Sequence, residues 1–421
     1  MKLTGPNRGS RLKNAILASF FAPAHDVVQT LERFSERDWR RALYWLDMNG
    51  LALYLLDHLT RIGIKECLPT SILNGMQLNY EQNRERTCDL FTEAVALSHA
   101  FTKENVSFAL LKGVTLPPEA VPNSAARFQM DIDILVRESD AIAARRVVLG
   151  FGYVPETIKK SEWAFTTGTN QPMSINSLYR VRPQRMVELH LLAAGDEDSA
   201  SGFGDRLTRS QLRRIQNVEL PVLSLADIFV QQAIHIFKHL CSENTRAAWL
   251  LEYWRHVEAR SGDLSFWTET RAIAEREPGS EVAIGAVTQL ASELFGQAVP
   301  QELSCWPLDR VPRTVCLWNE LYGRRILLAD PPGNKFYLFL HRQFAAEAEK
   351  PQSRWYRALL PFHWWPAKVT RGHVGECLGA RLTRYRIEAA HLVTRLRFHM
   401  RTSIPFMLES RRWKRLTEAA R

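Results

Sequence analysis

The spacing of apolar residues changes twice along this chain of 421 residues, and those changes restrict its fold. From residue 26 to residue 104, apolar residues recur every three or four positions, which predicts helices. Between Val106 and Leu192 the chain breaks into short runs, several of which alternate apolar and polar residues as strands do. Helical spacing returns after Ser224. The sequence therefore predicts an α+β protein with helical regions on both sides of a sheet-forming segment.

These changes divide the chain into three expected regions: an N-terminal helical region (1–104), a sheet-containing region (105–223) and a C-terminal helical region with a basic tail (224–421). A chain of this length exceeds what one ordinary core supports. Ser224, with Asp227 three residues later, predicts the start of a helix. Ser139 is expected to cap a helix that ends near Gly150. Strands are expected at Val106–Lys112, Asp131–Val136, Trp163–Thr167, Ser174–Val181 and Arg185–Leu192.

The composition excludes several classes of protein. With 46% hydrophobic and 24% charged residues and six cysteines, the chain is neither a disordered protein nor a disulfide scaffold. No apolar run reaches the roughly 18 residues of a membrane-spanning helix. The cysteines form no C-x-x-C pair, which argues against a zinc ribbon and favours free thiols in a reducing compartment. The N-terminus matches a signal peptide only in part, so a cytoplasmic location is expected.

Common catalytic motifs are also missing from the sequence. There is no P-loop, no dinucleotide-binding glycine pattern and no G-x-S-x-G elbow, which disfavours three large enzyme classes. His235 and His239 share one helix face, but the residues between them lack the glutamate of a zinc protease. These two histidines are expected to pack against the sheet region or to lie near a bound substrate.

Positive charge is concentrated at the end of the chain. Residues 381–421 hold eleven Lys and Arg against three acids, which accounts for +8 of the net charge of +10. Such a segment is typical of a partner that is a polyanion or an anionic membrane surface, although a solvated arginine-rich helix face has the same composition. The aromatic stretch Arg354–Trp365 is expected to wedge helices together, with base stacking or membrane contact as the alternative.

The strongest chemical signal is a pair of carboxylates, Asp131 and Asp133, on a predicted strand. Side chains at i and i+2 project from the same face of a strand, about 6.5–7 Å apart. Such a pair can share two divalent cations that clamp a phosphoryl group. Glu188, on the same face of its strand as His190, is expected to supply a third carboxylate. A site rich in carboxylate oxygens suits Mg²⁺ or Mn²⁺.

A second signal is Lys112-Gly113 at the end of the first predicted strand. Glycine at that position lets backbone amides approach phosphate oxygens. Together with Arg127 and the two strand carboxylates, this order of residues is more specific than any one motif taken alone.

These residues resemble a poorly characterised bacterial nucleotidyltransferase family of the DNA-polymerase-beta-like superfamily. The resemblance rests on Leu110-Leu-Lys-Gly113, Arg127, Asp131–Val136 and Val187-Glu-Leu-His190, and extends from about Trp39 to Trp254. It implies a polymerase-beta-like mixed sheet flanked by helices and makes residues 105–223 the catalytic domain.

The resemblance also implies roles for residues of this chain. Asp131, Asp133 and Glu188 would be the catalytic carboxylates and the ligands of Mg²⁺ or Mn²⁺, with Glu188 also the general base. Gly113 would lie beside the phosphates of a nucleoside triphosphate (NTP), with Lys112 and Arg127 as phosphate partners. His190 is expected to be a structural neighbour of Glu188, beside the site or toward the acceptor.

The chain departs from the family pattern at three places. Val114 stands where the superfamily usually has a serine, so no hydroxyl is available there for the phosphates. The third acid is a glutamate rather than the commoner aspartate. In a later helix, Trp249-Leu-Leu-Glu252 replaces an aromatic-leucine pair followed by aspartate.

The resulting hypothesis is a metal-dependent nucleotidyltransferase that moves a nucleoside monophosphate from an NTP to an acceptor hydroxyl and releases pyrophosphate. The alternative is a non-catalytic module that binds a nucleotide or a partner, such as an antitoxin-like or accessory protein. Val114 favours the alternative, whereas retention of all three carboxylates opposes it. The sequence does not identify the acceptor.

Overall fold

The computed structural model describes residues 8–167, 178–179, 185–192, 206–243, 245–330, 333–344 and 378–419. The predicted strand Ser174–Val181 falls almost wholly outside these residues, and the aromatic stretch Arg354–Trp365 falls entirely outside them.

The N-terminal part of the chain is helical, as the spacing of its apolar residues predicts. The third helix begins with a capping box, in which Ser35 and Asp38 each bond the other's backbone N–H. The fifth is a 34-residue helix that leads directly to the sheet. The bounds are α1 Arg8–Ser19, α2 Ala24–Leu31, α3 Glu36–Met48, α4 Ala52–Arg61 and α5 Thr70–Lys103.

The middle of the chain forms a seven-stranded mixed sheet. Its strands are β1 Phe108–Leu111, β2 Asp131–Arg137, β3 Val154–Ile158, β4 Glu162–Thr166, β5 Met186–Leu192, β6 Gln211–Ile215 and β7 Val218–Val222, with α6 Ala141–Gly150 after β2. The spatial order is β3-β4-β5-β2-β1-β7-β6. β2 pairs parallel with β5 and antiparallel with β1, so three strands from separate parts of the sequence meet at the centre.

One prediction from the sequence differs from the structure, and one strand pair was not predicted. Ser139 does not cap α6, because a short 3-10 turn at Glu138–Asp140 precedes the helix and Asp140 takes the cap position. The β6–β7 hairpin was not predicted, since Pro221 argues against an inner strand. The hairpin closes through Gln216 and Asn217, both with positive φ, in the manner of a two-residue turn.

The C-terminal part is helical again. Ser224 caps its first helix as predicted, accepting a hydrogen bond from the backbone N–H of Asp227. The bounds are α7 Leu225–Leu240, α8 Ala247–Ala259, α9 Leu264–Ala274, α10 Ser280–Phe295, α11 Gln301–Ser304, α12 Arg313–Trp318, α13 Arg324–Leu327, α14 Tyr337–Phe344 and α15 Leu378–Ala419. A π-helical turn, Asn319–Gly323, joins α12 to α13.

One hydrophobic core connects the helical parts with the sheet. It runs from Leu12 in α1 through Ile134 and Val187 at the sheet centre to Phe229 in α7 and Phe406 in α15. The inner face of β2 alternates as expected: Ile132, Ile134 and Val136 are buried in this core, so Asp131 and Asp133 take the other face. The core therefore fixes the direction in which the two carboxylates point.

Candidate active site

Strand pairing places the predicted carboxylates side by side. Asp133 of β2 lies opposite Glu188 of the parallel strand β5 and opposite Leu111 of the antiparallel strand β1. Directly paired residues project from the same face of a sheet. His190, two residues after Glu188, therefore shares that face, and Lys112 follows Leu111 at the point where β1 ends.

The side chains of these residues converge on Asp133, whose side chain is 2% exposed. Lys112 donates to Asp133 Oδ1 from Nζ at 2.5 Å, and His190 Nε2 lies 2.9 Å from the same oxygen. Glu188 Oε2 is 3.8 Å from both Lys112 Nζ and His190 Nε2. Lys112 adopts a positive φ of 50°, which turns it out of the strand direction. His190 is thus closer to the carboxylates than the sequence suggested.

The charges in this cluster shift one another's proton affinity. Burial alone would raise the pKa of Asp133, but the hydrogen bond from His190 and the charge of Lys112 outweigh it and hold that pKa well below its usual range. Burial and the negative charge of Asp133 raise the pKa of Glu188 to about 7. Burial and Asp133 also raise the pKa of Asp131. The site therefore contains one firmly ionised carboxylate and a second that exchanges its proton near neutral pH.

A buried network of hydrogen bonds joins α8 to the first residue of β2. Glu252 of α8, 3% exposed, accepts hydrogen bonds from Tyr54 Oη at 2.7 Å and from Arg127 Nε at 3.0 Å. Arg127 Nη1 donates to Gln129 Oε1 at 2.9 Å, and Gln129 Nε2 donates to the carbonyl of Asp131 at 2.7 Å. Helix α8 is in this way connected to the backbone that carries Asp131.

Gly113 packs against the same network. A Cβ at this position would lie 2.2 Å from Gln129 Oε1 and 2.4 Å from Arg127 Nη1, well inside contact distance. Val114 is buried and has no hydroxyl. The hydroxyl of the next residue, Thr115, donates to the carbonyl of Lys112 at 2.8 Å, so this turn offers no uncommitted hydroxyl to a ligand. Gly113 is required because two polar side chains occupy the space of its absent side chain.

Gly113→Ala is expected to lower the free energy of unfolding by about 1–3 kcal/mol, since the new methyl must displace Gln129 or Arg127. Gly75→Ala in α5 is the matched control, because nothing lies within 4 Å of its Cβ position, and alanine favours a helix interior by about 0.5–1 kcal/mol. Urea unfolding of both variants measures the difference. Equal stability of the two variants would contradict this account of Gly113.

The cluster lines a cleft of about 1700 Å³ between the sheet and the C-terminal helices. That volume exceeds the about 300–1,000 Å³ of ordinary small-molecule pockets. Basic side chains from several elements line it: Lys112, Arg127, Arg206, Arg209, Lys238, Arg246, Arg276 and Arg395. Acidic side chains line it in equal number: Asp47, Asp131, Asp133, Glu162, Glu188, Glu243, Glu252 and Glu277. The cleft is therefore rich in charges of both signs, and its size leaves room for a ligand together with a second substrate.

His235 and His239 of α7 lie on the wall of this cleft. Their rings are 4.6 Å apart, and both contact Trp249 of α8, with centroids at 5.1 and 4.5 Å. Arg246 lies over the same indole at 5.4 Å. Burial lowers the pKa of His235 to about 3, so its ring is neutral at pH 7. The pair forms part of an aromatic wall beside the carboxylates, where sequence reasoning had left its role open.

Three side chains of the cluster lie close enough together to hold a divalent cation. One ligand atom each from Asp133, Glu188 and His190 lies within 4.8 Å of the other two. Two carboxylates and an imidazole suit a divalent cation such as Mn²⁺, and carboxylates also suit Mg²⁺. Asp131 lies two residues away on the same strand face, outside this group of three. The residues present therefore fit a divalent cation.

Gln129, Arg246 and Trp249 contribute to the cleft and were not singled out as site residues from the sequence. Gln129 carried a usable signal, since it alternates with Arg127 and Asp131 at the entry to β2. Trp249 was noted only within the departure from the family pattern at Trp249-Leu-Leu-Glu252, and Arg246 carried no signal, because α8 approaches the cleft only through tertiary packing.

The chain belongs to a family of uncharacterised nucleotidyltransferases, whose model matches residues 35–296, more than half of its length. The match begins in the loop before α3 and ends after α10, so it includes the sheet, the cluster and the helices of the cleft wall.

Among solved structures, the chain is similar to an antigenic nucleotidyltransferase-like protein from Paracoccidioides brasiliensis. The two share 11% identity with a TM-score of 0.29, over 50% of this chain and 94% of the other. No curated protein matches the sequence.

Proposed function

We propose that the protein transfers a nucleoside monophosphate from an NTP to an acceptor hydroxyl and releases pyrophosphate, using a polymerase-beta-like catalytic domain at residues 105–223. The observation that carries the proposal is the register of β2 and β5, which sets Asp133 beside Glu188 in the lining of the large cleft. Membership of a nucleotidyltransferase family supports the reaction class.

In this proposal Asp131, Asp133 and Glu188 hold Mg²⁺ or Mn²⁺, and His190 lies close enough to join them. A divalent cation bound there would supply positive charge that stabilises the triphosphate as charge develops on it. Asp133 suits this role because Lys112 and His190 keep it ionised.

The chemical step joins the acceptor oxygen to the α-phosphorus and breaks the bond to the bridging oxygen, so that pyrophosphate leaves. The proton of the acceptor hydroxyl passes to Glu188, whose pKa of about 7 suits a general base near neutral pH. The Lys112 ammonium is hydrogen-bonded to Asp133 in the structure. When the nucleotide binds, this ammonium would shift to contact a phosphate oxygen. Arg127, held by Glu252 and Gln129, contributes fixed positive charge beside Asp131.

The parts of the chain outside the sheet would select the acceptor. The N-terminal (1–104) and C-terminal (224–421) helical regions remain our proposed division, and the cleft extends well beyond the carboxylates toward α15. Free cysteines at positions 67, 88, 241, 305 and 316 are in keeping with the proposed cytoplasmic location.

A non-catalytic nucleotide- or partner-binding module is the second candidate, and one contact favours it. The Lys112 ammonium lies among Asp133, Glu188 and His190, where a bound cation would otherwise lie. Together with the buried Val114, this arrangement resembles a site that holds its charge balance without a metal.

The two candidates are separated by incubating the full chain with each α-³²P-labelled NTP and Mg²⁺ or Mn²⁺. RNA, extract protein and small metabolites are offered as acceptors, and pyrophosphate release is measured in parallel. Metal-dependent transfer to one acceptor class is the expected result. Tight nucleotide binding without transfer or pyrophosphate release, under either metal, would favour the binding module.

A further inference from the structure

The last helix, α15, contacts the rest of the protein along one face. Phe406 stacks on Phe339 of α14, Arg395 pairs with Glu243, and Ser403 accepts a hydrogen bond from the buried Lys335 at 2.9 Å. Glu409 accepts from Tyr322 and Arg325. These contacts, from Arg395 to Glu409, hold the middle and the C-terminal part of a helix of 42 residues, which is about 63 Å long at 1.5 Å per residue.

The opposite face of α15 exposes a continuous row of large apolar side chains. Most of them are three or four residues apart, with Ala389 filling one place and Leu392/Val393 and Met407/Leu408 as adjacent pairs, so the row stays on one side of the helix. Of the 21 large hydrophobic side chains exposed in the described part of the chain, ten belong to this one helix. They are Leu378, Leu382, Tyr385, Leu392, Val393, Leu396, Met400, Ile404, Met407 and Leu408, between 43% and 78% exposed.

Basic residues accompany this apolar row, and two of the three acids of the helix lie away from it. Glu388 pairs with Arg384, and Glu409 is engaged at the contact with Tyr322 and Arg325. Glu418, near the end, lies 3.8 Å from Lys414. Eight basic side chains of the helix are exposed, namely Arg381, Arg386, Arg397, Arg401, Arg411, Arg412, Lys414 and Arg415. The outer side of α15 therefore combines exposed aliphatic groups with a strong positive charge.

We propose that the outer face of α15 binds the surface of an anionic lipid bilayer. A helix with an apolar row and flanking arginines lies in the interface, with its apolar side among the acyl chains and its arginines at the phosphates. A second copy of the helix would satisfy the apolar row but bring two sets of arginines together. Nucleic acid would satisfy the arginines but leave ten aliphatic or aromatic side chains without a partner.

The binding is peripheral. Within the residues that the structure describes, no helix is both long enough and apolar enough to cross a membrane. The proposal does not depend on the chemistry of the cleft. It does have a geometric consequence, because Thr394 and Arg395 of the same helix line the cleft. A bilayer bound to the outer face of α15 would therefore lie beside the cleft rim.

The test is flotation of the full-length protein with vesicles of phosphatidylcholine alone or with about one third phosphatidylglycerol, since anionic headgroups attract each nearby arginine by about 1 kcal/mol. The protein is expected to float with the anionic vesicles and to bind the neutral vesicles at least roughly tenfold more weakly. Added salt is expected to reduce the bound fraction, because it screens the attraction.

Two pairs of variants separate the apolar and the charged contributions. Met400→Glu with Ile404→Glu is expected to abolish flotation, whereas Leu212→Glu with Leu264→Glu, at closely matched exposures of 69% and 70% against 68% and 66%, is expected to leave it unchanged. Arg397→Gln with Arg401→Gln is expected to weaken binding roughly tenfold or more. Arg37→Gln with Arg41→Gln, an exposed pair at the same spacing on α3, is its control.

Three results would overturn the proposal. The first is a folded wild-type protein that floats with neither kind of vesicle, or a Met400→Glu/Ile404→Glu variant that floats as well as the wild type. The second is a dimer, seen by light scattering, that the Met400/Ile404 pair dissociates in the absence of any vesicle binding. The third is binding to an RNA oligonucleotide that the Arg397/Arg401 pair loses and the Met400/Ile404 pair keeps, again with no vesicle binding. None of these results depends on whether the protein transfers nucleotides.

Discussion

Replacing Asp133 by asparagine is expected to reduce nucleotidyl transfer by roughly 10³-fold or more, because this carboxylate is the point on which the site converges. Its Oδ1 atom is hydrogen-bonded to both Lys112 Nζ and His190 Nε2, and the residue lies opposite Glu188 in the sheet. Asparagine keeps the volume and one acceptor oxygen, so the fold is expected to persist. What the variant loses is the negative charge that would hold a divalent cation.

Two readouts distinguish this loss from a general defect. Wild-type protein should gain thermal stability from an NTP with Mg²⁺ or Mn²⁺, through binding to the folded state, and Asp133→Asn should lose the metal-dependent part of that gain. Glu162→Gln is the control, because Glu162 lies beside His190 in the neighbouring strand but pairs with Lys159 at 2.8 Å. It is expected to keep activity within a few-fold. Transfer that survives in Asp133→Asn would remove the proposed metal site.

The fold class and the central strands could be predicted because their signals are local. Alternation in Asp131–Val136 and in Arg185–Leu192 reports one buried face, and β2 and β5 follow it closely. The hairpin of β6 and β7 was missed because its inner strand contains Pro221, which local rules place at an edge. The order of the seven strands could not be derived from residue spacing, since β1 pairs with β7 across more than a hundred residues.

Some residues of the candidate site could likewise be predicted from local sequence patterns, and others could not. Strand periodicity predicted that Asp131 and Asp133 share one face of their strand and that Glu188 and His190 share one face of theirs, and Lys112 and Gly113 followed from the end of a strand. The register of β2 and β5 is what brings the two pairs together. The direct contact of His190 with Asp133 could not be predicted, because it depends on that register. The glycine at 113 was predicted for access to phosphate, whereas the described structure gives it a second constraint, the side chains of Arg127 and Gln129. Local pattern identifies the chemistry, and tertiary contacts decide which residues share it.

The second large effect is expected from Glu252, a buried residue on α8 that lies outside the carboxylate cluster. Glu252→Gln is expected to lower the free energy of unfolding by about 3–5 kcal/mol, because the buried Arg127 loses the carboxylate that is hydrogen-bonded to it. Tyr54→Phe removes only one donor to the same carboxylate and should cost about 1.5–3 kcal/mol. Urea unfolding of the two variants beside the wild type gives both values.

A double-mutant cycle tests whether the charge of Arg127 is the cause. If the cost of Glu252→Gln comes from the unpaired guanidinium, adding Arg127→Met should recover part of it, with a coupling energy of about 1–3 kcal/mol. Additive costs would show instead that Glu252 acts through packing alone. Transfer activity is measured on the same proteins at a temperature where all are folded. Because Arg127 reaches the Asp131 carbonyl through Gln129, loss of the pair should lower the rate even then, and an unchanged rate would limit the network to stability.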